Sequence, residues 1–137
     1  MIDINAHNRN RLLSLILATL LSGCASLPEN LAANGSIEVE FVDSRDARIE
    51  SVQVRVVESG LKINGTLRKK YRGRGFIPGH LHIKAFDRNG EILTQTTSGY
   101  HRRNVKEQRS SFSVILPVQK GEVARIEVIH RGLSDKG

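Results

Sequence analysis

Apolar and polar residues alternate with a period of two along most of the chain after residue 35. Such alternation is typical of β-strands with one buried face, because successive side chains of a strand point to opposite sides. Seven segments show or approach this pattern, and no eleven-residue window has a convincing helical period. In six of them the residues predicted to face inward are Ile37, Val39 and Phe41; Val52, Val54 and Val56; Leu61, Ile63 and Leu67; Leu81, Ile83 and Ala85; Phe112, Val114 and Leu116; and Ile126 and Val128.

The remaining segment, Ile92 to Ser98, is rich in threonine and weakly patterned, which predicts an edge strand. Turn-forming residues separate the strands. Asn89-Gly90 favours a two-residue type I′ hairpin turn, Ser59-Gly60 favours another hairpin, and residues 119–121 favour a looser turn. A bulge is expected at Asn64-Gly65, where glycine interrupts the third strand.

Seven short strands with turns between them predict an all-β domain over residues 36–137. The expected architecture is a single antiparallel β-sandwich of the immunoglobulin, fibronectin or transthyretin-like kind. If successive strands alternate in direction, the short turns lie at one end of this domain. The longer connections, 43–48, 71–79 and 100–110, then lie together at the other end.

A ten-residue apolar run, Leu12 to Leu21, ends in the motif Leu21-Ser22-Gly23-Cys24, and Arg9 and Arg11 precede the run. These residues resemble the lipobox of bacterial lipoprotein precursors. The resemblance implies that residues 1–23 are a cleaved signal peptide and that Cys24 carries a diacylglycerol and an N-acyl chain. A membrane-spanning helix needs about 20 apolar residues, so the run is too short for a permanent anchor.

The residue after the lipidated cysteine influences sorting in Gram-negative lipoproteins, where Asp favours the inner membrane. Ala25 occupies this position here, so the resemblance implies the periplasmic face of the outer membrane. Residues 24–35 contain Pro28 and Gly35 and show no sustained period. We interpret them as the lipidated cysteine followed by a flexible tether.

Without residues 1–23, the chain has 114 residues with 19 Lys and Arg against 13 Asp and Glu, so the basic excess is not due to the signal peptide. This length suits one domain. Cys24 is the only cysteine, so stability must come from packing and not from internal disulfides.

Two of the longer connections are strongly basic, and such clusters attract acidic partners with an affinity that falls as salt rises. The residues predicted to bind a partner are Lys69, Lys70, Tyr71, Arg72, Arg74, Arg102, Arg103, Lys106 and Arg109. An exported lipoprotein meets little nucleic acid, so we expect the partner to be an acidic protein or another envelope component. The alternative is that these charges only keep the domain soluble.

His80 and His82 share one face of a predicted strand, at a spacing that suits two ligands of one metal ion. His101 and His130 are predicted near the same end of the domain, but His130 shares the inward parity of its strand. The surrounding arginines repel cations. No metal site is therefore assigned, and zinc or copper binding by His80 and His82 stays an alternative hypothesis.

No nucleophile elbow, HExxH motif or phosphate-binding loop is present, and no catalytic residue is predicted. No cofactor is predicted besides the covalent lipid. We therefore interpret the chain as a non-catalytic periplasmic module, anchored in the outer membrane, for binding or envelope assembly. A metal-binding module and a structural lipoprotein without a discrete ligand are the alternatives.

Overall fold

The computed structural model describes residues 28–72, 75–102 and 107–133. The predicted signal peptide and Cys24 lie outside the described residues, and so do Arg74, Arg103 and Lys106 of the predicted binding set. Within these ranges the chain forms seven strands and no helix. The strands are β1 (Glu38–Val42), β2 (Ala47–Val57), β3 (Gly60–Lys69), β4 (His80–Phe86), β5 (Ile92–Ser98), β6 (Arg109–Leu116) and β7 (Arg125–Arg131).

The strands form a four-stranded sheet, β1-β7-β4-β5, and a three-stranded sheet, β2-β3-β6. The all-β, seven-stranded prediction is confirmed, and β5 lies at a sheet edge as expected. Antiparallel pairing throughout is wrong for β1, which runs parallel to β7 with Glu38 opposite Arg125. Parallel neighbours require a long connection between them, and here five strands intervene in the sequence.

Inward-facing residues of both sheets form one hydrophobic cluster, built mainly from aliphatic side chains. The predicted inward residues of β3, β4 and β7 are all buried. Phe41, for which the alternation also predicts an inward position, is instead 46% exposed. It belongs to β1, which lies at the edge of the wider sheet and therefore has less of the opposite sheet to cover it.

The segment before β1 packs on the domain. Leu31 and Ile37 are fully buried in the hydrophobic cluster. The Leu31 amide donates to the Val54 carbonyl at 2.8 Å, and the Val54 amide donates to the Asn30 side chain at 3.1 Å. Burial of the Leu31 side chain holds residues from Asn30 onward on the fold, within the range 24–35 that is predicted to be a tether.

The connections gather at two ends of the domain. We call the end with connections 58–59, 87–91 and 117–124 the turn pole, and the end with connections 43–46, 70–79 and 99–108 the loop pole. The strand pairings require this division, which agrees with the sequence-based expectation. A salt bridge between Glu29 and Lys120, at 3.5 Å, places the incoming chain at the turn pole.

A β-bulge lies in β2 and not at the predicted Asn64-Gly65. Ile49 pairs with Leu67 and Ser51 pairs with Thr66, so Glu50 is the extra residue. Gly65 keeps regular pairing on both sides. Its lack of a side chain is required there, because a Cβ atom would come within 2.0 Å of the Ser51 carbonyl oxygen and 2.9 Å of the Phe112 ring.

The β4–β5 connection also differs from the prediction. A type I′ turn needs positive φ at both central residues, whereas Gly90 has φ of 81° and Asn89 does not have positive φ. The Asp87 carboxylate instead accepts hydrogen bonds from the amides of Asn89 and Glu91, at 2.8 and 3.0 Å. An aspartate-capped turn therefore closes this hairpin.

We expect Gly65→Ala to lower the free energy of unfolding by about 1–3 kcal/mol, because the added methyl group overlaps backbone on one side and the Phe112 ring on the other. Urea denaturation measures this loss. Gly121→Ala is the matched control, since a Cβ atom at that position would meet nothing within 4 Å. Equal stability of the Gly65→Ala and Gly121→Ala variants would contradict the close approach of β2 and Phe112 to Gly65.

Candidate functional site

A row of three arginines crosses the three-stranded sheet near the loop pole. Arg48 of β2 pairs with Arg68 of β3, and Arg68 pairs with Arg109 of β6. Side chains directly opposite one another on neighbouring strands lie close enough to interact, and like charges in this arrangement repel. The row therefore concentrates positive charge, which requires a nearby negative charge to offset the repulsion.

Glu50 supplies this compensation. Its carboxylate lies 2.7 Å from the Arg109 Nε atom, 3.7 Å from Arg68 and 3.9 Å from Arg48. Glu50 is the bulged residue of β2, and a bulge redirects the side chains of its strand, here toward the arginine row. One carboxylate among three guanidinium groups leaves an excess of two positive charges.

Two open grooves flank this row and share Arg68 and Gln108. The first has a volume of about 490 Å³, and its lining includes His101 and the predicted residues Arg102 and Arg109. The second has a volume of about 390 Å³ and is lined by Arg48, Arg68, Lys69, Lys70, Tyr71, Arg72 and Gln108. The structure thus brings the described members of the predicted binding set into two adjoining grooves.

Contacts between loops hold these grooves together. The Lys69 amide donates to the Gln108 carbonyl at 2.9 Å, and the Lys70 amide donates to the Asp46 carbonyl at 3.0 Å. The Arg102 guanidinium donates to the Gly75 carbonyl at 2.7 Å and lies 4.3 Å from the centre of the Phe76 ring. Phe76 is 79% exposed, so an aromatic face stands beside the basic grooves.

A buried polar network lies at the same pole, between the connections of the two sheets. His130, only 2% exposed, contacts the Ser44 hydroxyl through Nδ1 at 2.6 Å and the Tyr100 hydroxyl through Nε2 at 2.9 Å. Tyr100 donates in turn to the Ile77 carbonyl at 2.9 Å. All three connections of the loop pole are therefore joined to β7 by hydrogen bonds.

The donors and acceptors of this network indicate a direction for every proton. Tyr100 uses its proton on Ile77, so its oxygen accepts from the Nε2–H group of His130. Ser44 accepts from the amides of Asp46 and Ala47, which fills its oxygen lone pairs, and its hydroxyl donates to Nδ1 of His130. The arrangement suits a neutral imidazole with its proton on Nε2.

His80 and His82 occupy the outer face of β4, in the other sheet from the arginine row, as the parity of the sequence predicts. Their Nε2 atoms are 2.7 Å apart. His130 points inward and His101 lines the first groove, so the four histidines do not converge. Among the described residues, no group of three or more His, Cys, Asp or Glu side chains is placed to hold a metal ion.

Sequence reasoning missed Glu50, Arg48 and Phe76. The sequence carries a signal for Glu50, because Ile49 and Val52 are three residues apart and so break the two-residue period of β2; both are buried in the structure.

No protein-family model, curated protein or solved structure matches this chain. The described residues include no helix with the length and apolar character needed to cross a membrane.

Burial, and secondarily the nearby Asp46 carboxylate, raises the pKa of Tyr100 to about 12. Between pH 10 and about 12 the unfolded chain loses the tyrosine proton while the folded chain keeps it. We therefore expect stability to fall as pH rises through this window. In Tyr71→Phe protein, Tyr100 is the only tyrosine, and its ultraviolet absorbance reports its ionisation directly.

The control for this alkaline effect is Tyr100→Phe, which should lose less stability than the wild type between pH 10 and 12. At neutral pH the same variant should unfold more easily by about 1–3 kcal/mol, because the Ile77 carbonyl and His130 lose a buried partner. Ionisation of Tyr100 near pH 10 would contradict the buried network.

Proposed function

We propose that this protein is a non-catalytic lipoprotein that binds an acidic partner, a protein or another envelope component, through the grooves of its loop pole. The observation that carries the proposal is the arginine row, whose single carboxylate leaves positive charge in excess. The adjoining grooves add lysines and exposed aromatic side chains. Arginine and aromatic residues are the types that most often dominate binding energy at protein interfaces.

We further propose that Cys24 is lipidated and anchors the protein at the periplasmic face of the outer membrane. The segment before β1, which packs on the domain, supports a specific orientation of the protein relative to the membrane. Only four residues lie between Cys24 and Glu29 at the turn pole, and the five steps of fully extended chain from one to the other reach about 17 Å. An anchor at Cys24 would hold the turn pole near the membrane and leave the opposite, basic pole facing the periplasm.

For the fold, we infer a β-sandwich of the broad immunoglobulin, fibronectin or transthyretin kind. The single hydrophobic cluster shared by both sheets supports this inference. Sandwiches carry their loops at the two ends of the sheets, where a rigid scaffold positions binding residues. The basic grooves at one end fit that arrangement.

Binding of a fluorescent oligo-glutamate peptide, measured by anisotropy, tests the acidic-partner proposal. Reversing two exposed charges of the second groove, Lys70→Glu with Arg72→Glu, should weaken binding about tenfold or more. The control, Lys62→Glu with Arg88→Glu, makes the same change in net charge away from the grooves. Equal weakening by both pairs would show attraction to overall charge alone and would contradict a site at the loop pole.

Anchoring is tested separately in a Gram-negative host. Radiolabelled palmitate should enter the wild-type protein but not the Cys24→Ala variant, which should stay at precursor mass. Ala25→Asp should keep the label and move the protein from the outer-membrane to the inner-membrane fraction. Wild-type protein that takes up no label would rule out the lipoprotein assignment without affecting the binding test.

A further inference from the structure

The outer face of β4 carries two imidazole rings side by side. His80 and His82 are two residues apart, so their side chains project from the same face of the strand. Their ring centres are 4.7 Å apart, and their planes are inclined by 49°. Both Nε2 atoms turn toward each other, at 2.7 Å. Imidazole nitrogens are common metal ligands, and here two of them converge.

This separation is close to what one metal ion requires. Metal–imidazole bonds are about 2.0–2.1 Å long, so two nitrogens at 90° around a metal lie about 2.9 Å apart, and at the tetrahedral angle about 3.3 Å apart. The observed 2.7 Å is nearer the first value. Ligands at 90° are found in the tetragonal geometry that Cu²⁺ and Ni²⁺ adopt.

Without a metal, the short contact demands an unequal pair. One Nε2 atom must carry a proton and the other must not, so the two rings need different tautomers. A shared cation removes this requirement, because both nitrogens then act as lone-pair donors. With a metal ion bound, the two rings can therefore keep this contact while both adopt the same tautomer.

Two imidazole nitrogens do not fill the coordination sphere of a metal ion, and among the described residues no third His, Cys, Asp or Glu side chain is placed to join them. An open groove of about 410 Å³, lined by His82, Gln95, Thr96 and Thr97, lies beside the pair. It leaves room for water or an external ligand to complete the coordination.

We propose that His80 and His82 form a two-imidazole chelate for a divalent transition-metal ion, with Cu²⁺ bound most tightly. Cu²⁺ stands highest in the affinity order of the divalent first-row metals and accepts imidazole readily. Arg131, the cross-strand partner of His80, opposes binding by charge repulsion. The site therefore binds copper with an affinity that this arginine restrains.

Copper titration of the full-length chain carrying Cys24→Ser, in detergent, tests the chelate. The serine removes the only thiol, which would otherwise compete for copper. His82→Gln should weaken binding about tenfold or more, since even outer-sphere changes at metal sites have effects of that size. The spectrum of the bound Cu²⁺ should lose its coupling to a second imidazole nitrogen.

Two further variants distinguish a chelate from general attraction of copper to histidine. Arg131→Gln should tighten binding severalfold, because it removes a positive charge beside the pair. His101→Gln, which changes a histidine of the first groove, should leave binding unchanged. Copper bound equally well by the His82→Gln and His101→Gln proteins would overturn the proposal, and so would a spectrum with only one imidazole nitrogen in the parent.

Discussion

Three arginines lie side by side on neighbouring strands, and Glu50 is the acidic residue that contacts all three. Without the carboxylate, each cross-strand pair would be a repulsion at the end of the sheet where the loops begin. The bulge in β2 matters for this reason, because it adds the residue that carries the carboxylate. Exposed ion pairs contribute little to folding, about 0–1 kcal/mol each. Their consequence is mainly positional, since they keep three guanidinium groups around one carboxylate at the strand ends.

The loop pole combines this charged outer surface with a neutral hydrogen-bonded network inside. His130 reaches from β7 to Ser44 and Tyr100, and Tyr100 reaches Ile77, so four separate parts of the chain meet there. Buried polar groups are costly unless each finds a partner, which makes such a network specific for one arrangement of the loops. The connections that carry the basic grooves are therefore held in place by hydrogen bonds inside the domain.

Much of the fold could be predicted because a strand alternates its side chains regularly. The inward sets of β3, β4 and β7 follow directly from this period, and counting strand directions separates the two poles. The parallel partner of β1 does not follow, since pairing between distant segments leaves no trace in local alternation. The burial of Leu31 does not follow either, because a single apolar residue in irregular chain has no period that reveals its burial or the hydrogen bond from its amide to the Val54 carbonyl.

The candidate site was predictable in composition but not in shape. The charge of residues 69–72 is visible in the sequence, whereas the grooves arise only when β3 and β6 pair and bring Arg68 beside Arg109. This pairing also affects how the site can work. The proposed binding would have to order Lys70, which is exposed on a connection, at an entropic cost, but the arginine row is already held by strands and by Glu50. In the proposed function, the row would contribute direction and spacing to binding, while the exposed side chains of the connections would contribute long-range attraction that salt screens.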